Sequence, residues 1–468
     1  MTGEGHKAFS EESMLDILTC KLLRAIGSKI GRGSSLPGLV CKKIWPKSLR
    51  TLKLPDKVIA VTGSNGKTST VALLCNIAEK AGLKVVSNRE GSNQTEGVVT
   101  ALLSSADPRT RKVDADVVIL ESDERFCQYT FREFTPSHIL ITNLFRDQLT
   151  RNGHREFVKG ELQKGIPDGT VLILNANEPL SCSYGSGREG TVYYGVSAPE
   201  LREDPGLEHA YDDGAYCPVC GRKMEYDFRI SGHVGSFECR KCGYRTPRTA
   251  HSVTKAADGK FVIDSTWEIR PQIFNEAYAQ NISAAFTTAV EAMGVDPSVA
   301  AEALDGLELD NGRVVEFRIG DHCGRFMLCK HENSMAYNAA ISTALSDPSE
   351  AVTVVFIVDR LSRKYVANDM SWLWDIDFHR LADDKVRKII LSGGFAHDAA
   401  ERLLVGGVPE EKLIIEPDLD RMMDDVAERS EGYIYAMTCF TDQYKFLDRL
   451  KKYSDPSESD SKQGGKTE

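Results

Sequence analysis

No uninterrupted apolar stretch among the 468 residues approaches the ~18–20 that a membrane-spanning helix needs. The opening residues, MTGEGHKAFSEESMLD, carry acids where a secretory leader needs a basic start, so the chain is expected to stay in the cytoplasm. An excess of positive charge is missing as well. The 58 Lys and Arg are outnumbered by 68 Asp and Glu, and the net charge of −10 argues against a general nucleic-acid binder. With 41% hydrophobic and 27% charged residues the composition is that of a globular protein, long enough for two to three domains. Cysteine, by contrast, is plentiful. In a reducing compartment twelve cysteines do not form a disulfide framework, so they are either buried apolar side chains or metal ligands.

Acidic residues are absent between Thr19 and Pro55, where nine Lys or Arg occur (Lys21, Arg24, Lys29, Arg32, Lys42, Lys43, Lys47, Arg50, Lys53). Within residues 12–31, Met14, Leu15, Leu18, Leu22, Ile26 and Ile30 fall at helical spacing, which predicts one amphipathic helix. Two readings stand: a solvated helix face followed by a loop, or a surface that meets anionic lipid headgroups or a pyrophosphate. From Lys57 the pattern becomes short apolar runs (VIAVTG, KVVSN, DADVVILES, HILITNL, TVLILNAN) alternating with helical stretches, which predicts a parallel sheet covered on both faces. A polar, cysteine-containing segment over about 207–250 looks inserted. NEAYAQNISAAFTTAVEAMG is then a helix, and RFMLCK, AVTVVFIVD, KIILSGG, EKLIIEP and GYIYAMT form a second strand series. The expected division is a basic amphipathic segment over 1–55, a central α/β domain over 56–310, a smaller α/β domain over 311–453 and a disordered tail over 454–468.

VIAVTGSNGKTST places Gly63, Ser64, Asn65, Gly66, Lys67, Thr68 and Ser69 between a buried strand and a helix N-terminus. Glycines there let backbone N–H groups point at phosphate oxygens, Lys67 reaches the outer phosphates and the Thr68 hydroxyl can ligate magnesium. The loop is a shorter variant of the common phosphate-binding motif, because Val61 stands where that motif has its first glycine. VVILESDE puts Glu121, Asp123 and Glu124 at the carboxyl edge of the same sheet, with Glu121 the expected magnesium ligand. ITNLFRDQL brings Asn143, Asp147 and Gln148 to that edge. Separately, Cys217-Pro-Val-Cys220-Gly and Cys239-Arg-Lys-Cys242-Gly, eighteen residues apart, have the spacing of two zinc knuckles. A four-thiolate site has no open position for water, so the zinc is expected to be structural. Cys20, Cys41, Cys75, Cys127, Cys182, Cys323, Cys329 and Cys439 show no such pairing and are expected to be buried.

TGSNGKTST, LESDE, TNLFRDQL and LNANEP, in that order, resemble the central ATPase domain of the Mur ligase family, whose members form amide bonds through an acyl phosphate. The NLFRDQL run, the GRGSSLPG near the start, SWLWDIDF and the inserted knuckles are similar to one branch of it, the MurT-type subunits of lipid II isoglutaminyl synthase. The resemblance, which covers residues 15–450, implies a central ATPase domain with an inserted zinc ribbon and a C-terminal α/β domain. It implies ATP, magnesium and structural zinc. It implies amidation of the α-carboxyl of the second-position glutamate on lipid II, with Asn177, Asn281 and Arg313 near the nucleotide. One Asp of VANDMSWLWDIDF is implied to support the catalytic His of a separate glutaminase subunit of the GatD type; Asp369 is first choice, Asp375 second, and Asp377 stays open. None of the twelve cysteines lies in a Gly-x-Cys-x-Gly elbow, so ammonia is expected from that partner. Lys330-His331-Glu332-Asn333-Ser334, Phe395 and Thr150 depart from the branch's pattern. Two rivals remain: a Mur-like ligase adding an amino acid without a glutaminase, and an ATPase whose ribbon (Arg222, Lys223, Arg240, Lys241, Arg245, Arg248) grips nucleic acid or protein.

Overall fold

Short buried apolar runs become the strands of a nine-stranded sheet in the computed structural model, which describes residues 4–89, 92–197, 202–204, 206–255, 259–271, 275–307, 314–330, 332–359, 369–439 and 442–453. The tail expected to be disordered, 454–468, lies outside the described residues, as does Arg313. The strands are β1 (Lys57–Thr62), β2 (Val85–Ser87), β3 (Val117–Glu121), β4 (His138–Ile141), β5 (Val171–Asn175), β6 (Val192–Val196), and, beyond a separate hairpin of β7 (Glu225–Ser231) and β8 (Val234–Glu238), β9 (His251–Lys255), β10 (Phe261–Ile263) and β11 (Trp267–Ile269). Their order is β11-β10-β9-β6-β5-β4-β1-β3-β2. The run from β2 to β9 is parallel, and β10 and β11 add an antiparallel edge. Because β6 pairs in parallel with β9, the cysteine segment is an excursion between two neighbouring strands of one sheet.

Strand β1 lies between β4 and β3. Val61 is level with Glu121 of β3 and Leu140 of β4, so the loops that follow these three strands emerge side by side at the carboxyl edge. In an open parallel sheet the crevice outside that edge, where successive connections leave in opposite directions, is where ligands bind. Val58, Val118 and Leu120 pack on one face of the sheet and Ala60, Ile139 and Ile141 on the other.

The basic front end forms α1 (Glu4–Ser28) and α2 (Leu36–Ile44), followed by α3 (Lys67–Lys80) and α4 (Thr95–Ser105). The helix expected over 12–31 therefore starts earlier and stops before Ile30. Ile17 and Cys20 of α1 and Cys41 of α2 join the core over α4, whereas Leu15, Leu18, Leu22 and Ile26 face outward. What faces inward includes a carboxylate: Asp16, 2% exposed, takes a bidentate bond from Arg111 (both N···O 2.9 Å), which also donates to the Ser48 carbonyl. This buried ion pair, together with Ile17 and Cys20, fixes the helix against α4 and the segment that precedes β3.

A second compact unit gathers residues from Asp310 onward together with Arg146–His154 and Glu208–Tyr211. Its strands β12 (Val314–Ile319), β13 (His322–Cys329), β14 (Val352–Ile357), β15 (Val386–Ser392), β16 (Leu413–Ile415) and β17 (Tyr433–Cys439) form a sheet in the order β12-β13-β17-β14-β15-β16, parallel except for the β12–β13 hairpin. The stretch 56–310 is thus not one continuous piece of the first unit. Ion pairs give the reason: Arg146 bonds Asp375 at 2.8 Å, and His209 bonds the buried Asp377 at 2.8 Å, with the Ala210 N–H on the same carboxylate. Seven of the eight cysteines outside the knuckles are buried; Cys323 is the exception, exposed opposite Arg318 on the β12–β13 hairpin.

Candidate active site and cysteine cluster

The loop after β1 turns on two glycines that no other residue could replace. Gly63 has φ +127° and Gly66 φ +83°, the left-handed region that a Cβ disfavours. A Cβ on Gly63 would lie 2.2 Å from Thr142 Oγ1, and one on Gly66 2.3 Å from Asn281 Oδ1. The following β4 loop holds the turn in place. Asn143 Oδ1 accepts from the Asn65 N–H (3.0 Å), its carbonyl accepts from the Ser64 N–H (2.8 Å), and Thr142 Oγ1 donates to the Asn65 carbonyl (2.7 Å). Ser64 Oγ and the Phe145 backbone complete the clamp. Asn65, Gly66 and Thr68 keep partial exposure at the mouth of the loop, while Ser69 is buried in the first turn of α3.

Lys67 begins α3, and its buried ammonium lies between the Gly63 carbonyl and Glu124 Oε1, the latter at 2.7 Å. The nearby carboxylates separate by partner. Glu124 takes the lysine; Glu121 Oε1 accepts from Asn93 Nδ2 (3.0 Å) and its backbone N–H reaches Asn88 Oδ1 (2.8 Å). A hydroxyl and a carboxylate at a helix N-terminus are the oxygen donors a hard divalent cation prefers. Of the residues expected around a nucleotide, Asn281 on the helix Glu276–Glu291 abuts Gly66. Asn177 instead spends both ends of its amide on the Val196 N–H (2.7 Å) and the Gly235 carbonyl (3.4 Å), tying β6 to the hairpin.

Sequence reasoning missed the pair beneath this clamp. Glu178, fully buried, accepts from the N–H groups of Leu144, Leu180 and Ser181 and meets His233 Nε2 at 3.1 Å. Burial alone would push its carboxyl upward, but the His233 and Ser181 bonds overcome that and hold it down to about 2. A folded-state value below the unfolded 4.5 stabilises the native state above pH 4.5, and that contribution is lost as the pH falls toward 2. Chemical denaturation of the Glu178→Gln variant should show about 3 kcal/mol less stability than the parent at pH 7 and a smaller difference as the pH approaches 3. An equal deficit at both values would contradict this account of the pair.

The two knuckles are copies of one turn. The Gly221 N–H bonds the Cys217 carbonyl and the Gly243 N–H the Cys239 carbonyl, both at 2.9 Å, with φ of +70° and +74° at the two glycines. Four sulfurs result, all within 4.8 Å of one another, with Cys217–Cys242 at 3.7 Å and Cys220–Cys239 at 3.5 Å. Tetrahedral thiolates around one zinc stand ~3.8 Å apart, so the cluster fits such an ion. The Cys242 and Lys241 N–H groups pull the Cys239 thiol down to about 7. Phe237, Met224, Tyr226 and Tyr244 cover the cluster beside Cys182, and the Tyr244 hydroxyl donates to the Pro179 carbonyl at 2.6 Å.

Within the second unit, Asp147 is buried and accepts from Asn333 Nδ2 (2.9 Å) and Lys330 Nζ. Gln148 (φ +48°) donates its N–H to the carbonyl of Glu332 (φ +47°), so two non-glycine residues in left-handed geometry share one bond. Such conformations persist only where the surroundings enforce them. The three candidate aspartates diverge. Asp377 is buried on His209 and Asp375 is paired with Arg146; Asp369 is exposed, its carboxyl held below the usual range by the Ser371 hydroxyl and N–H.

Comparison with known proteins matches this architecture. Residues 61–234 match the Mur ligase middle domain. The fold is shared with a pseudomurein peptide ligase type C from Methanothermus fervidus (TM-score 0.68, 20% identity, 87% of this chain and 81% of that one) and with MurF from Acinetobacter baumannii (0.56, 17%, 88% and 80%). Fold and sequence together define a Mur ligase, the class of ATP-dependent enzymes that join carbon to nitrogen. Residues 330–442 match the MurT ligase C-terminal domain. The MurT subunit of the lipid II isoglutaminyl synthase (glutamine-hydrolyzing) of Staphylococcus aureus is 26% identical over 441 residues, 93% of this chain and 96% of its own. That of Streptococcus pneumoniae is 29% identical over 455 residues, 94% and 97%. Two family models of the Mur ligases, one of them specific to MurT, thus match successive parts of the chain, and its similarity to MurT subunits runs along nearly its whole length.

Proposed function

We propose that this chain is the ATP-binding, amidating subunit of a glutamine-hydrolysing lipid II isoglutaminyl synthase. The observation that carries the reading is the similarity to two MurT subunits along more than nine-tenths of both chains, with the complete phosphate loop on β1. In the proposed reaction a carboxylate oxygen of the stem-peptide glutamate attacks the γ-phosphorus of ATP and ADP leaves. Ammonia then attacks the acyl carbon, and phosphate departs with the C–O electron pair. The N–H groups from Gly66 to Ser69, where the helix begins, cradle the phosphates, Lys67 exchanges its Gly63 and Glu124 partners for the transferring group, and Asn143 and Asn281 fix the loop that presents them. Magnesium, held by Thr68 and Glu121, would supply further neutralisation of phosphate charge. Asn177 ties β6 to the β7–β8 hairpin, and both its place near the nucleotide and that of Arg313 are assigned from the resemblance alone. Zinc in the Cys217, Cys220, Cys239, Cys242 cluster has a structural role.

Ammonia comes from a GatD-type glutaminase subunit, whose catalytic His is supported by an aspartate of this chain. Exposure favours Asp369 over the paired Asp375 and the buried Asp377. The chain alone should amidate lipid II from ammonium salts but not from glutamine; adding the partner should restore glutamine use. Asp369→Asn should abolish the glutamine-dependent reaction and spare the ammonium-dependent one. Addition of an amino acid in place of ammonia would instead favour a ligase that works without a glutaminase. No described helix is long and apolar enough to cross a membrane, and the lipid-linked acceptor is met at the membrane's cytoplasmic face.

A further inference from the structure

The α1–α2 hairpin is attached by one face only. Asp16, Ile17, Cys20 and Cys41 turn toward α4, the Gly38 N–H donates to Thr100 Oγ1 (2.9 Å), and a Cβ on Gly38 would stand 1.9 Å from the Glu96 carbonyl oxygen. Helix and helix therefore meet backbone to backbone. On the outer face lie Leu15, Leu18, Leu22 and Ile26 of α1, Ile30 just past its end, and Leu36, Leu39 and Ile44 of α2, with exposures of 37–65%. At ~100° per residue the four α1 side chains form one stripe, on the side opposite Asp16, Ile17 and Cys20. Among the described residues, these eight are nearly half of the seventeen large apolar side chains that are exposed. A solvated helix face would carry charges at these positions, and a contiguous apolar patch of this kind marks an interaction surface.

Charge selects the partner. Lys21, Lys29, Arg32, Lys43 and Lys47 border the patch, and no acid occurs from Thr19 to Pro55 in a chain whose net charge is −10. Protein interfaces are depleted in lysine, whereas a helix lying in a membrane interface combines an apolar stripe with lysine and arginine at headgroup level. We infer that the α1–α2 hairpin is a docking surface for an anionic lipid bilayer: the leucine and isoleucine stripe enters the headgroup–acyl boundary, and the basic rim pairs with lipid phosphates. Its purpose rests on the reading of a lipid-linked acceptor, since docking keeps the enzyme on the surface where that acceptor lies.

Vesicle flotation of the full chain, without nucleotide, acceptor or partner, tests the docking separately from the chemistry. The parent should float with phosphatidylglycerol-containing vesicles, progressively less as salt rises, and much less with phosphatidylcholine alone. L22D/I26D should lower the bound fraction about tenfold, and K29E/K43E should lower it on the anionic vesicles. Both variants should keep the parent's melting temperature and its amidation of detergent-solubilised acceptor. Absence of flotation, or equal flotation of parent and L22D/I26D, overturns the inference. Dissociation of a parent oligomer by L22D/I26D in light scattering also overturns it, by assigning the stripe to a second copy. Flotation without amidation would sustain the docking and refute the substrate reading.

Discussion

Lys67→Ala removes ATP-dependent amidation, with a fall in kcat of about 10²–10³-fold or more. Two features of the site determine the outcome. Lys67 is already placed at the loop's inner wall, between the Gly63 carbonyl and Glu124, so its ammonium is preorganised where outer phosphates arrive at a helix N-terminus. The same burial means that the single variant breaks an ion pair whose Glu124 side chain is only 5% exposed, and removing one partner of a buried pair costs about 3–5 kcal/mol. A loss of activity could then be a loss of fold. K67A/E124Q separates the two: it should recover the melting temperature of the parent and none of its activity. A double variant that amidates at the parental rate would remove Lys67 from the chemistry.

Loss of the metal should be the second large effect. Purified chain should carry one zinc per molecule, and C217S or C239S should lose it. The consequence reaches beyond the ribbon, because the cluster shares its cover with the first unit's own residues. Tyr244 bonds the Pro179 carbonyl, Asn177 bonds Gly235, and His233 meets Glu178, which in turn accepts from the Leu144 N–H next to Asn143. Four thiols held within 4.8 Å without an ion would have to swing apart, and structural zinc sites supply folding free energy outright. We expect C239S to lower the melting temperature by several degrees and to weaken ATP binding while leaving the mass-resolved affinity of the second unit for a glutaminase intact. Full zinc content in C217S/C239S would refute the four-cysteine assignment.

Much of this was legible in the sequence wherever the information is local. The Cys-x-x-Cys-Gly turns and the strand–glycine–lysine–helix passage each contain their own geometry within a few residues, and the parallel sheet follows from apolar runs separated by helices. Pairings across long separations were not legible. Glu124, 57 residues from Lys67, is one of three similar acids, and only the level of β1 against β3 selects it over Glu121. Glu178 precedes the insertion and His233 lies within it, 55 residues further on. The orientation of α1 was not legible either. Periodicity reports that its leucines share a stripe but not which way the stripe faces, and the inward Asp16 is paired with Arg111, 95 residues away. The segments Arg146–His154 and Glu208–Tyr211 joined the second unit for the same reason, through ion pairs that no spacing rule encodes.

Tandem mass spectrometry of lipid II after incubation with this chain, a GatD-type glutaminase, ATP and amide-labelled glutamine tests the central claim most directly. The account predicts conversion of one carboxylic acid to an amide, with the label on the α-carboxyl of the second stem-peptide residue and stoichiometric ADP. An unmodified acceptor, a label at another carboxyl, or an added amino acid would contradict it.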